Sequence, residues 1–136
     1  MSKRILVVED QEDNRRMLRD LLTSKGYEIL EAKTGMEGVR SAIENVPDLI
    51  LMDIQLPELD GYDATRKIKG NTTLRGIPII AVTSYALSGD EAKAKEAGCD
   101  DYIPKPYSIR VLLAKVEEHL ARQPPCTRSN PTPSSK

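Results

Sequence analysis

The chain has 136 residues, 39% of them hydrophobic, which suits one compact domain with its own core better than two. Its 20 Lys and Arg nearly cancel its 21 Asp and Glu, so no global field draws it toward nucleic acid or an anionic membrane. Aromatic residues make up 4%, with neither Trp nor Phe, so a base-stacking surface would have to be built from Tyr alone; this argues against single-strand binding.

The first aliphatic run, Ile5 to Val8, reads as a strand and is cut off by Glu9-Asp10 before a signal-peptide core of roughly 7 to 15 residues can form. Met17, Leu18, Leu21 and Leu22 then share a helical face, and Asp10 or Asp13 is placed to cap that helix. Tyr27 to Leu30 is a second strand, and Met36, Val39, Ile43 and Val46 form the apolar face of a second helix. Leu49 to Met52 is a third strand ending in Asp53, and a short third helix runs over residues 62–69 with Ile68 as its main aliphatic. A fourth strand covers Ile77 to Val82 and ends in Thr83-Ser84.

The fourth helix, residues 88–97, has only Ala92, Ala94 and Ala97 to turn inward. A buried methylene-sized group contributes about 0.8 kcal/mol, against roughly 1.5–3 for a whole Leu or Ile, so this helix is expected to be the most loosely held. A weak strand at Tyr102-Ile103 precedes Lys105-Pro106, and Ile109, Leu112, Leu113, Val116 and Leu120 form the cleanest helical stripe. Gly26 and Gly98 follow helical stretches, where a left-handed C-cap favours glycine. Residues 123–136 hold four prolines and no aliphatic residue, and are expected to be a disordered tail after a folded unit of residues 1–122.

Strand and helix alternating five times imply parallel strands joined by crossover helices, an α/β fold of the three-layer αβα sandwich type. No apolar run approaches the about 20 residues needed to cross a bilayer, and the chain reads as cytoplasmic. Cys99 and Cys126 have neither disulfide-framework nor metal-ligand spacing, and both are expected to be free thiols.

Parallel α/β sheets bind ligands at the carboxyl ends of their strands. Those ends would gather Glu9, Asp10, Asp53, a hydroxyl from Thr83 or Ser84, and Lys105 on one edge. Singly, each has an ordinary structural explanation: a helix cap, a β-branched strand residue, a solvated surface charge. Asp53 is the exception, because an acid directly after Leu-Ile-Leu-Met is exposed to burial and must then be paired, metal-bound or neutralised.

From Lys3 to about Leu120 the chain resembles the receiver domain of two-component response regulators. The resemblance rests on Val-Val-Glu9-Asp10, on Leu-Ile-Leu-Met-Asp53-Ile-Gln-Leu-Pro57 with Asp60-Gly61, on Ile-Ile-Ala-Val-Thr83-Ser, and on Asp-Tyr102-Ile-Pro-Lys105-Pro106, in that order. It implies a flavodoxin-like sheet of order 2-1-3-4-5 and makes Asp53 the acceptor of a phosphoryl group from phosphohistidine. It implies Mg²⁺ held by Glu9, Asp10, Asp53 and the backbone carbonyl of Gln55, with Lys105 and the Thr83 hydroxyl on the phosphoryl oxygens. It makes Thr83 and Tyr102 the switch pair, gives Lys105-Pro106 a cis peptide, and places Gln55 and Tyr85 where water access to the acyl phosphate is tuned.

Three carboxylates and one Lys carry a formal charge of −2, which a divalent cation cancels, and hard carboxylate oxygens suit Mg²⁺. The resemblance further implies a histidine kinase or histidine phosphotransfer protein as donor, docking near Asn14, helix one and the strand-five loop. Output would pass through the face of helix four, strand five and helix five, toward a protein target or a second copy of the chain. The nearest likeness is to single-domain regulators, which are not enzymes beyond accepting and losing their own phosphoryl group.

Three other functions compete. A metal-dependent phosphatase with Asp53 as nucleophile needs a second acid two residues on, where this chain has Gln55. A flavodoxin-like cofactor binder needs a Gly-rich loop where Glu9-Asp10-Gln11-Glu12-Asp13 would repel phosphate. A degenerate receiver acting only as a docking module would have lost part of the set that is intact here.

Overall fold

The computed structural model describes residues 3–54, 56, 59, 61–83, 90–104 and 108–122. The expectations for Gln55, Ser84, Tyr85, Lys105, Pro106, Cys126 and the 123–136 segment lie outside the described residues. Ten elements alternate along the chain: β1 Arg4–Val8, α1 Glu12–Ser24, β2 Glu28–Ala32, α2 Gly35–Asn45, β3 Leu49–Asp53, α3 Gly61–Lys69, β4 Ile79–Thr83, α4 Asp90–Ala97, β5 Asp101–Pro104 and α5 Ile109–Arg122. The strands form one parallel sheet in the order β2-β1-β3-β4-β5, so the α/β fold and its strand order are those expected from the sequence.

The near-continuous aliphatic strands are buried on both faces, as parallel strands covered by crossover helices require. Alternation along each strand divides the core in two. Ile5, Val7, Leu49, Leu51, Ile80 and Ile103 pack with Leu18 and Leu22 of α1 and Leu112, Val116 and Leu120 of α5. Leu6, Val8, Ile50, Met52, Ile79 and Ala81 face the other way, onto Ala42 of α2, Ala64 and Ile68 of α3, and Ala94 of α4.

Several sequence expectations are corrected in detail. Met36 and Ile43 are about half exposed, and α2 instead buries Gly35, Gly38 and Ala42. The reason is distance: a Cβ on Gly38 would lie 2.9 Å from a Val8 methyl, so the helix rides too close to the sheet for large side chains at the contact. Val46 packs against the core as expected, but it lies just past the helix. It is the C-cap, with a left-handed φ of 46°, and Pro47 beyond it disfavours the α conformation at Val46.

Met17 and Ile109 are likewise exposed, and Ala92 faces solvent, which leaves Ala94 and Ala97 as the buried alanines of α4. The fourth strand begins at Ile79 rather than Ile77, because Ile77 N–H closes a turn on Leu74 O and Pro78 has no N–H to give. The second strand extends to Ala32, since Glu31 and Ala32 pair with Val7 and Val8. Gly26 and Gly98 have φ of 94° and 108°, as their C-capping positions require.

The α5 seam gives a direct check on this burial. Leu112→Ala should lose about 2–5 kcal/mol of unfolding free energy in urea, whereas Ile109→Ala, at the exposed end of the same stripe, should lose less than about 1.

Candidate functional site

The sheet register brings the strand ends together. Val8 is opposite Met52 and Asp53 is opposite Val82, so Glu9, Asp53 and Thr83, each the last residue of a strand or the next one, line a single edge. Glu9, Asp53 and Thr83 are all at least 95% buried, and Asp10 is half-buried. One carboxylate oxygen from each of Glu9, Asp10 and Asp53 lies within 4.8 Å of the other two, and this is the one such group of potential metal ligands among the described residues.

Three carboxylates at that spacing repel one another by about 3–4 kcal/mol per pair at an effective dielectric of 20. Backbone hydrogen bonds hold the chain against this repulsion. Glu9 N–H donates to Ala32 O at 3.0 Å, tying the turn after β1 to β2. Gln11 N–H donates to Glu9 Oε2 at 3.1 Å, and Gln11 itself is the N-cap of α1, without a side-chain cap; neither Asp10 nor Asp13 caps the helix. Beyond Asp53, Ile54 N–H donates to Val82 O and Gly61 N–H to Ile54 O, both at 3.0 Å.

Gly61 has a second duty. A Cβ there would run into the backbone carbonyl of Asp53 and stand 2.7 Å from Ile54 Cα. The start of α3 is therefore seated directly on the strand end that carries Asp53, and only glycine permits that approach.

Tyr102 pairs with Ala81 across β4 and β5, and both belong to the cluster on the α2–α3–α4 side. Thr83, two residues beyond Ala81, has its side chain on that same face. Tyr102 also lines a cavity of about 60 Å³ with Ala94, Cys99 and Asp100, between α4 and β5. Burial pushes the Cys99 thiol above its ordinary value, only partly opposed by its contact with Thr65, which marks it as an unreactive core residue.

Two clusters were not read from the sequence, one beneath this edge and one at the amino end of β5. Arg15 and Glu31 form a pair beneath the β1–α1 turn, and its signal was a basic residue on an apolar face, Arg15-Leu18-Leu22. Asp101 of β5 meets Lys115 Nζ and His119 Nε2 of α5, both at 3.0 Å. Burial acts to raise the Asp101 carboxyl, but hydrogen bonds from His119, Lys115 and the Tyr102 N–H outweigh it and hold it below its ordinary value of 3.8.

The donor set consists of hard oxygens alone, with no His or Cys, and its clustering matches what Mg²⁺ takes from protein carboxylates. A family model described as the response regulator receiver domain matches residues 5–117. The chain belongs to that family. It is 43% identical over 120 residues to the polar-differentiation response regulator DivK of Brucella ovis, covering 88% of this chain and 98% of the relative. Among solved structures, the receiver domain of a sensor histidine kinase from Pseudomonas aeruginosa PAO1 superposes with a TM-score of 0.83 at 39% identity, covering 89% of this chain and 99% of the other. That receiver was crystallised with a magnesium ion coordinated in its active-site cleft. A CheY-like receiver domain from Methanospirillum hungatei superposes equally well, TM-score 0.83, at 34% identity over 89% of this chain and 95% of the other. The receiver therefore sits in two-component signalling. Among the described residues no helix is long and apolar enough to cross a membrane.

Gly61→Ala should lower stability by about 1–3 kcal/mol through overpacking and displace the Asp53 end of β3, seen as amide shift changes at residues 53 and 54 in NMR spectra. Because the folded Asp101 carboxyl titrates below its unfolded counterpart, its contribution is present above about pH 4 and fades as pH falls through the lowered value. Asp101→Asn should be less stable than the parent at neutral pH, and urea denaturation should show the gap narrowing below about pH 4.

Proposed function

We propose that this chain is a single-domain response regulator that takes a phosphoryl group onto Asp53 from the phosphohistidine of a histidine kinase or histidine phosphotransfer protein. The observation that carries the reading is the convergence of Glu9, Asp10 and Asp53 within 4.8 Å on the ligand-binding edge of the sheet. Coverage of 98% of the Brucella regulator's length supports the single-domain part of the proposal, with residues 1–122 as the receiver.

In the proposed transfer a carboxylate oxygen of Asp53 attacks phosphorus in line with the P–N bond. That bond breaks, its electron pair stays on the departing imidazole, and an acyl phosphate remains on Asp53. Glu9, Asp10, Asp53 and the Gln55 carbonyl would hold Mg²⁺, which supplies positive charge opposite the phosphoryl oxygens and offsets the repulsion among the acids. The Lys105 amine and the Thr83 hydroxyl would meet the remaining oxygens. Burial of Thr83 at the end of β4 supports its assignment over a solvated hydroxyl.

Movement of Thr83 toward the acyl phosphate would open space on the sheet face it shares with Tyr102, into which that ring would turn. The face of α4, β5 and α5 would then carry the signal to a protein partner or a second copy of the chain. α4 is suited to shift because, among its described side chains, only Ala94 and Ala97 are buried.

With acetyl phosphate and Mg²⁺, the protein should take up phosphoryl label in a hydroxylamine-labile form, and both EDTA and Asp53→Asn should abolish it while the fold is retained. Label that persists in Asp53→Asn would move the acceptor elsewhere. Many turnovers of a generic phosphomonoester would make the protein a phosphatase instead.

A further inference from the structure

We infer that Arg15 is a positioning residue for this site: its guanidinium fixes the turn after β1 so that Glu9 and Asp10 are presented to the cation before it binds. The inference rests on the reading of the acidic edge as a cation-dependent phosphoryl site and adds to it the group that keeps that edge assembled.

Arg15 lies one turn into α1, its N–H bonded to Gln11 O at 2.9 Å, and its side chain is 9% exposed, on the inward face with Leu18 and Leu22. A guanidinium is rarely buried without a strong reason, because leaving water costs several kcal/mol unless partners replace it. Here Nη1 donates to the backbone carbonyl of Glu9 at 2.9 Å and Nε to Glu31 Oε1 at 3.0 Å. Arg19, one turn further along, donates to the other Glu31 oxygen at 3.3 Å. Glu31 therefore neutralises and orients Arg15, and Arg15 passes that order to Glu9.

The consequence lies in the Glu9 backbone. Its N–H is held by Ala32 and its C=O by Arg15, so neither flanking peptide can rotate without breaking a buried hydrogen bond. The direction of the Glu9 side chain is set between those two anchors. Three converging carboxylates would otherwise relieve their repulsion by splaying this turn, and re-forming it would be charged against cation binding. The fork geometry explains why the residue is Arg: one side chain serves a carbonyl and a carboxylate in different directions at once, which the compact ammonium of Lys does not do. Arg15 donates to none of the three clustered carboxylates in these bonds; it acts through the backbone of Glu9.

The test uses the full chain with Arg15→Met, which keeps the apolar stem, Arg15→Lys, and Glu31→Gln. Mn²⁺ affinity measured by electron paramagnetic resonance should fall about 10-fold or more in Arg15→Met, with smaller losses in the other two. Exchange of the Gln11 amide in the metal-free protein should quicken in the same order. Labelling by acetyl phosphate should need more Mg²⁺ for half-maximal rate in Arg15→Met, while the rate at saturating Mg²⁺ stays close to the parent's. A lower melting temperature with unchanged Mn²⁺ affinity would overturn the positioning role, since it would show packing alone. Should Arg15→Met not fold, unchanged Mn²⁺ affinity and Gln11 exchange in a folded Glu31→Gln would overturn it equally. Failure of the parent protein itself to bind Mn²⁺ or accept label would instead bring down the reading of the site.

Discussion

Like charges held close together are the constraint on which this molecule depends. Glu9, Asp10 and Asp53 come from two strand ends, and their oxygens sit within 4.8 Å of one another in a largely buried setting. Such a cluster is unfavourable by itself, so the surrounding chain has to supply stabilisation that keeps it together. The parallel sheet contributes to this, because its register is enforced by packing on both sides: a slip of one residue would move Leu6 and Val8 onto the layer shaped for Ile5 and Val7. The packed apolar core thus helps to fix where the acids meet.

Much of the fold was legible because parallel strands covered on both faces must be aliphatic throughout, and Ile5 to Val8, Leu49 to Met52 and Ile79 to Val82 are. What periodicity misjudged was the depth of the helices. Met36 and Ile43 have helical spacing, yet α2 turns Gly35, Gly38 and Ala42 to the sheet, since close approach excludes large side chains. A hydrophobic stripe reports that some face is apolar. It does not report how near the backbone lies to its neighbour, and small residues are silent in such a reading.

The site was legible to the extent that its groups close their strands: Glu9, Asp10, Asp53 and Thr83 are all found at one edge. Arg15 and Glu31 were not, because their connection spans a helix and a strand sixteen residues apart and serves a backbone carbonyl, which has no signature in side-chain pattern. Gly61 stood in the sequence as part of a motif, and only the approach of α3 to the Asp53 carbonyl gives it a physical reason. In each case what was missed is support, lying one layer behind the acids it holds.

The two outer layers of the sandwich also differ in kind. On the α1–α5 side, Leu18, Leu22, Leu112, Val116 and Leu120 interlock with the strands, while among the described residues the opposite layer thins at α4 to Ala94 and Ala97. A plate clamped firmly along one side and lightly along the other yields at the light side. Among the described residues, the layer over α4 is held to the sheet by methyl groups, so a displacement of that helix would have the least packing to reseat.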